Sequence, residues 1–112
     1  MTKKISNEAR LRHILEAITN IENYTSQLTF SDFIDNNLVK SATVREMEII
    51  GEAANHLTQE LKNNYKEVDW EEIIGLRNIL IHEYFGVNKK IVWDTCKNDL
   101  PGLKNIVKEY IK

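Results

Sequence analysis

One cysteine (Cys96), one proline (Pro101) and 4 glycines are all that 112 residues contain of these types. A lone cysteine excludes an internal disulfide and fits a reducing compartment, so a cytoplasmic location is expected. So few turn-forming residues argue against an all-β chain, which needs many of them. Apolar runs extend for only a few residues, and no membrane span is expected. The opening MTKKISNEARLRH lacks the apolar stretch of a secretory signal. Charge of one sign is also scarce. The 15 Lys and Arg against 17 Asp and Glu leave a net −2, which supplies no global drive toward nucleic acid.

What is present suits one folded unit. With 42% apolar and 29% charged residues the chain can fill a modest core and cover its surface. The length and the lack of repeats or linkers point to a single helical domain over 1–112. Charge is uneven along it. Residues 29–72 carry 4 basic and 10 acidic side chains, whereas residues 73–112 carry 7 basic and 4 acidic. An anionic partner would therefore favour the second half, although a solvated lysine face explains the same count.

Apolar periodicity predicts helices throughout. Ser6 or Asn7 is expected to cap a first helix with Leu11, Ile14, Leu15, Ile18, Ile21 and Leu28 on one face. Ser31 is expected to cap a short helix packed through Phe33 and Ile34. A long helix follows from about Leu38 to Lys62, where Gly51, Ala53 and Ala54 invite close packing. Asp69 should cap a helix from Trp70 to about Phe85, ended by Gly86. Asn88 should cap the next, and Asn98 or Asp99 should precede a last helix with Pro101 in its first turn. The expected fold is an all-α antiparallel bundle of about five helices.

One residue does not fit that pattern. On a helical wheel, Arg77 falls at the centre of the stripe formed by Trp70, Ile73, Ile74, Leu80, Ile81 and Tyr84. A guanidinium keeps its charge, so a buried one demands acceptors or an anionic ligand. Two readings follow. Arg77 pairs with a carboxylate of the long helix, Glu48 or Glu52, or it holds a small anion such as phosphate. His82 lies about 7.5 Å further along the axis, beside Asn78, and both long side chains can approach one phosphate. Alone, His82 reads as a surface residue and Tyr84 as a core aromatic with its hydroxyl at the rim.

Other chemistries find little support. His13, His56 and His82 have no metal-ligand spacing, and Cys96 has no partner for zinc. The four glycines form no phosphate loop, and neither Ser31 nor Cys96 has a base beside it. Glu71-Glu72 and Glu46-x-Glu48 read as solvated helix faces. No cofactor is expected.

The segment Arg77-Asn78-x-x-x-His82-x-Tyr84 resembles the R-x4-H-x-Y signature of HEPN-domain proteins, specifically HepT-like toxins paired with minimal nucleotidyltransferases. Asp69-Trp70 with Ile73, Gly75 and Leu76 is similar to that family's helix start. Ile49-Ile50-Gly51-Glu52-Ala53-Ala54 is similar to its long-helix motif, and Val92-Trp93 with Asp99-Leu100-Pro101-Gly102-Leu103 to its C-terminal pattern. The resemblance implies a helical homodimer, open to further assembly, whose two motifs face one cleft. It implies a metal-independent ribonuclease that cuts RNA through the neighbouring 2′-hydroxyl. His82 would then be the general base or acid, Arg77 the phosphate ligand, and Asn78 a supporting residue. Tyr84 would be the acceptor of AMP from the nucleotidyltransferase antitoxin, a modification that silences the toxin. The competing readings are a non-catalytic, nucleotide-binding accessory subunit of a nucleotidyltransferase, and a purely structural bundle.

Overall fold

Most helix starts among the described residues are set by side chains that satisfy free backbone amides, and the helices then bury apolar stripes. In the computed structural model, which describes residues 6–75 and 89–112, every regular element is helical. Helix α1 runs Asn7–Thr25, and Ser6 accepts the Ala9 amide as expected. Its stripe of Leu11, Ile14, Ala17, Ile18 and Ile21 is at most 2% exposed. Leu28 falls beyond the helix, in the turn that follows.

Helix α2 (Phe30–Asp35) is capped two residues earlier than expected. Thr29, not Ser31, accepts the Asp32 amide, and the Asp32 carboxylate accepts the Thr29 amide in return. This reciprocal box satisfies two donors at once, which a cap at Ser31 would not. Phe33 is buried at 1% exposure while Ile34 is half-buried.

The expected long helix is two helices. Helix α3 ends at Asn55 (Asn37–Asn55) and α4 spans Gln59–Asn64. The stripe itself continues, since Leu57 and Leu61 are both 4% exposed. What breaks the backbone is a long-range contact. Thr58 caps α4 through the Leu61 amide, and Asn7 at the start of α1 exchanges two hydrogen bonds with Thr58. A helix continued through 56–58 would forfeit the cap, worth about 1 kcal/mol.

Helix α5 is described over 70–75. Helix α6 (Lys89–Asp94) passes without a gap through a π turn (Thr95–Asp99) into α7 (Leu100–Ile111). Asp99 precedes α7 and Pro101 lies in its first turn, as expected, although Asp99 makes no side-chain cap and the chain reaches it through a π turn rather than a break. Pro101 is the physical reason. It cannot donate a hydrogen bond, and its ring crowds the preceding turn of an α-helix. The turn widens instead, and the Leu100 amide reaches back to the Thr95 carbonyl.

The core lies between α1, α3 and the α6–α7 run, with α2 closing one end. Lys104 of α7 donates to Glu22 of α1 at 2.7 Å along its edge. Ala53, Ala54 and Gly51 are buried on α3, as the small-residue pattern anticipated. Glu46 overturns its expected solvated placement. It is 8% exposed and accepts a 2.8 Å hydrogen bond from Asn20 of α1, which compensates its burial.

Candidate active site

Arg77, Asn78, His82 and Tyr84 lie outside the described residues, as do the expected cap Asn88 and terminator Gly86. What the structure describes is the frame on either side of them. On the leading side, Asp69 caps α5: its Oδ1 accepts the Glu72 amide at 3.0 Å and its carbonyl accepts the Ile73 amide. Trp70 is 8% exposed, and its indole N–H donates to the Tyr65 carbonyl at 3.0 Å, locking the ring. Ile73, 7% exposed, shares a small void with Met47 and Ile50 of α3 and with Thr95 and Leu100 of the α6–α7 run. The start of α5 is thus wedged between two elements. Its inward residues Trp70 and Ile73 are those the stripe predicts, while Glu71 and Glu72 face solvent.

The carboxylates expected to compensate Arg77 have other contacts. Glu48 lies 3.5 Å from Arg45, and Glu52 lies 3.0 Å from His56. Both line an open groove of about 300 Å³ between α1 and α3, together with Arg10, His13, Arg45, Ile49 and Ala53. The expected pairing of Arg77 lies outside the described residues. Arg10, whose Nε is buried with no hydrogen-bond partner among the described residues, was not singled out by the sequence. Its i, i+3 spacing with His13 was visible, but not that α3 would supply Arg45 opposite.

A second cleft, of about 280 Å³, borders the start of α5 and is lined by Glu67, Asp69, Glu72, Ile73, Asn98 and Asp99, among others. The Asp99 carboxylate, partial burial and Asp69 together hold the Glu72 carboxyl above its ordinary pKa. A raised folded-state pKa favours the fold at low pH, and that contribution is lost as pH rises through the raised value. Asp99→Asn is therefore expected to return Glu72 toward an ordinary carboxylate titration. A carboxyl-carbon NMR titration of both proteins checks this, and an unchanged Glu72 curve would refute it.

Cys96 sits under this region, 3.8 Å from the Met47 sulfur, with burial pushing its thiol up to about 12. A thiol so disfavoured as thiolate is no nucleophile at neutral pH. His13 and His56 are exposed, and no group of three or more metal-ligating side chains comes together among the described residues.

On the trailing side, α6 begins at Lys89. Trp93 packs tilted on Phe33 with centroids 5.2 Å apart and on Phe30 at 6.0 Å, pinning α6 to α2. The segment that carries the signature residues is thus flanked by two packed indole rings, Trp70 buried and Trp93 half-buried.

Comparison with known proteins adds what the described residues do not. A family model described as "Ribonuclease HepT-like" matches residues 14–110, a span that includes all four candidate residues. "Probable ribonuclease HepT" of Thermococcus cleftensis is 40% identical over 101 residues, covering 90% of this chain and 92% of that protein. "Putative RNase MJ1380" of Methanocaldococcus jannaschii is 37% identical over 100 residues, covering 89% and 92%. "Putative RNase TTE0752" of Caldanaerobacter subterraneus is 40% identical over 102 residues, 91% of each chain. No solved structure gives a significant match.

Proposed function

Because the chain belongs to the HepT-like ribonuclease family, we propose that it is a metal-independent endoribonuclease, the toxin of a toxin–antitoxin pair, with Arg77 and His82 at its centre. The observation that carries this reading is the intact Arg77-x4-His82-x-Tyr84 signature inside the matched residues 14–110. The residue types suit the reaction. A neutral imidazole has an ordinary pKa of about 6.5 and exchanges protons near neutrality. A guanidinium donates two hydrogen bonds to a phosphate whose charge grows in the transition state.

In this reading His82 takes the proton of the 2′-hydroxyl, and the 2′-oxygen attacks the adjacent phosphorus. The bond from phosphorus to the 5′-oxygen breaks, and that oxygen takes a proton from the partner subunit's His82. Products are a 2′,3′-cyclic phosphate and a 5′-hydroxyl. The nucleophile belongs to the substrate, so no activated water is required. One motif per chain supplies one histidine, and a homodimer with both motifs in one cleft supplies the acid and the base. Asn78 supports the phosphate beside Arg77. AMP transferred to Tyr84 by a nucleotidyltransferase antitoxin would place bulk and negative charge beside the substrate phosphate, blocking it on both counts.

The test uses unmodified, metal-stripped protein with end-labelled RNA in excess chelator. Cleavage leaving 2′,3′-cyclic phosphate ends is the expected result. Cleavage only after a divalent metal is restored would overturn the metal-independent mechanism. Silence under both conditions, with transfer RNA as well as total RNA, would favour an accessory nucleotide-binding subunit.

A further inference from the structure

The groove of about 300 Å³ between α1 and α3 holds an arginine that its surroundings leave unsatisfied. Arg10 is half-buried, its Nε is enclosed without a hydrogen bond, and its guanidinium forms no ion pair among the described residues. It also ends the first turn of α1, where the positive end of the helix dipole disfavours a cation. Neither packing nor local electrostatics explains a guanidinium here, since partial burial without an acceptor is costly.

The facing wall carries an acceptor that Arg10 does not use. Arg45, Glu48, Ile49 and Ala53 recur at spacings of three and four and so present one face of α3 to the groove. The Glu48 side chain is only 23% exposed, and its contact with Arg45 is 3.5 Å, the long limit of a hydrogen bond. A carboxylate offers about four acceptor positions, so Glu48 keeps most of its capacity. Glu52, in the same groove, is engaged with His56 at 3.0 Å. Arg10 and Glu48 line one groove without pairing with each other, and half-buried Ile49 and buried Ala53 add apolar surface beside them.

A donor fork, a carboxylate and an apolar surface together match a nucleobase better than a phosphate, which Glu48 and Glu52 would repel. Among the four RNA bases, guanine alone presents two adjacent acceptors, O6 and N7, next to two adjacent donors, N1–H and N2–H. We infer that this groove is a guanine pocket for the RNA strand, with Arg10 donating to O6 and N7 and Glu48 accepting from N1–H and N2–H. The inference rests on the ribonuclease reading and gives that enzyme a base preference. Its position suits a substrate path. Ile73 borders the same void as Ile50, the neighbour of Ile49 on α3, and Arg77 follows Ile73 by four residues, at most about 14 Å between Cα atoms.

The probe is GMP titrated into the full chain and followed by amide NMR shifts, with AMP, CMP, UMP and inorganic phosphate as the other arms. GMP is expected to move amides of residues 10–13 and 45–53 at concentrations about tenfold below those the other nucleotides need, the discrimination of one good two-pronged base contact. Glu48→Gln, which exchanges an acceptor for a donor, should lose about tenfold in GMP affinity, as should Arg10→Gln. Arg12→Gln, which removes the same charge from α1 outside the groove, should bind GMP as wild type does. Melting temperatures within a degree or two of wild type show that these losses report the groove and not the fold. On RNA of random sequence, cuts by the wild type should carry G at one fixed offset, a preference that Glu48→Gln loses while still cutting. Equal responses to all four nucleotides, or the same shifts from inorganic phosphate, would overturn the guanine pocket. RNA cleavage with no GMP response and no offset preference would overturn it too, while leaving the ribonuclease reading standing. GMP binding in the groove with no cleavage of any RNA would keep the pocket and overturn the ribonuclease reading.

Discussion

Replacing His82 by alanine is expected to lower RNA cleavage by about 10³-fold while leaving the helical fold intact. The size follows from the role: a positioned acid or base contributes about 10² to 10⁴. In the proposed dimer one substitution removes the base from one subunit and the acid from the other, so the loss belongs toward the upper part of that range. His82→Asn, which keeps hydrogen-bonding capacity but cannot exchange a proton near neutrality, should be equally inactive. Arg77→Lys separates the second role. It retains charge but loses the two-pronged contact to phosphate, and partial activity is expected from it. Single-turnover cleavage of a labelled 20-mer, with circular dichroism on each variant, measures all three. An active His82→Ala protein would remove the imidazole from the mechanism and with it the proposed chemistry.

The signature behind that prediction was legible because its spacing is local. Arg77 stands out on a wheel among six apolar residues between 70 and 84, and no tertiary information is needed to see a charge at the centre of an apolar stripe. Local signals also anticipated the caps at Ser6 and Asp69 and the burial of Phe33, all of which the structure shows. Most of the misses share one cause, partners remote in sequence; the cap of α2 is the exception, since Thr29 and Asp32 lie three residues apart. The break between α3 and α4 depends on Asn7 meeting Thr58, 51 residues away, while the apolar stripe runs on through Leu57 and Leu61. Glu46 is buried because Asn20, 26 residues earlier, satisfies it. The π turn is a different case. Pro101 does lie in the first turn of the last helix, as its position suggested; what local pattern did not show is that the chain arriving from α6 is already helical and widens to admit it.

Phe33→Ala is expected to cost about 3–5 kcal/mol, the largest stability loss predicted for this chain. Phe33 is 1% exposed on a six-residue helix, too short to hold itself together, and it packs against Trp93 and the central core. Truncation removes apolar contact and leaves a void that α2, tied at its start by the Thr29–Asp32 box, collapses into only partly. For a domain of this size about 4 kcal/mol corresponds to a drop in Tm of roughly 15 °C. Leu38→Ala supplies the contrast: Leu38 is 80% exposed, and its loss should stay within about 0.5 kcal/mol. The destabilisation bears on function through Trp93, which Phe33 holds in place at the trailing anchor of the signature segment. Activity should therefore fall at temperatures well below the variant's own midpoint, as α6 loosens before the core of α1, α3 and α7 melts. Urea unfolding followed by Trp fluorescence and by far-ultraviolet circular dichroism tests this. Coincident transitions in the variant would show that the anchor and the core unfold as one, and the early loss of activity would then need another cause.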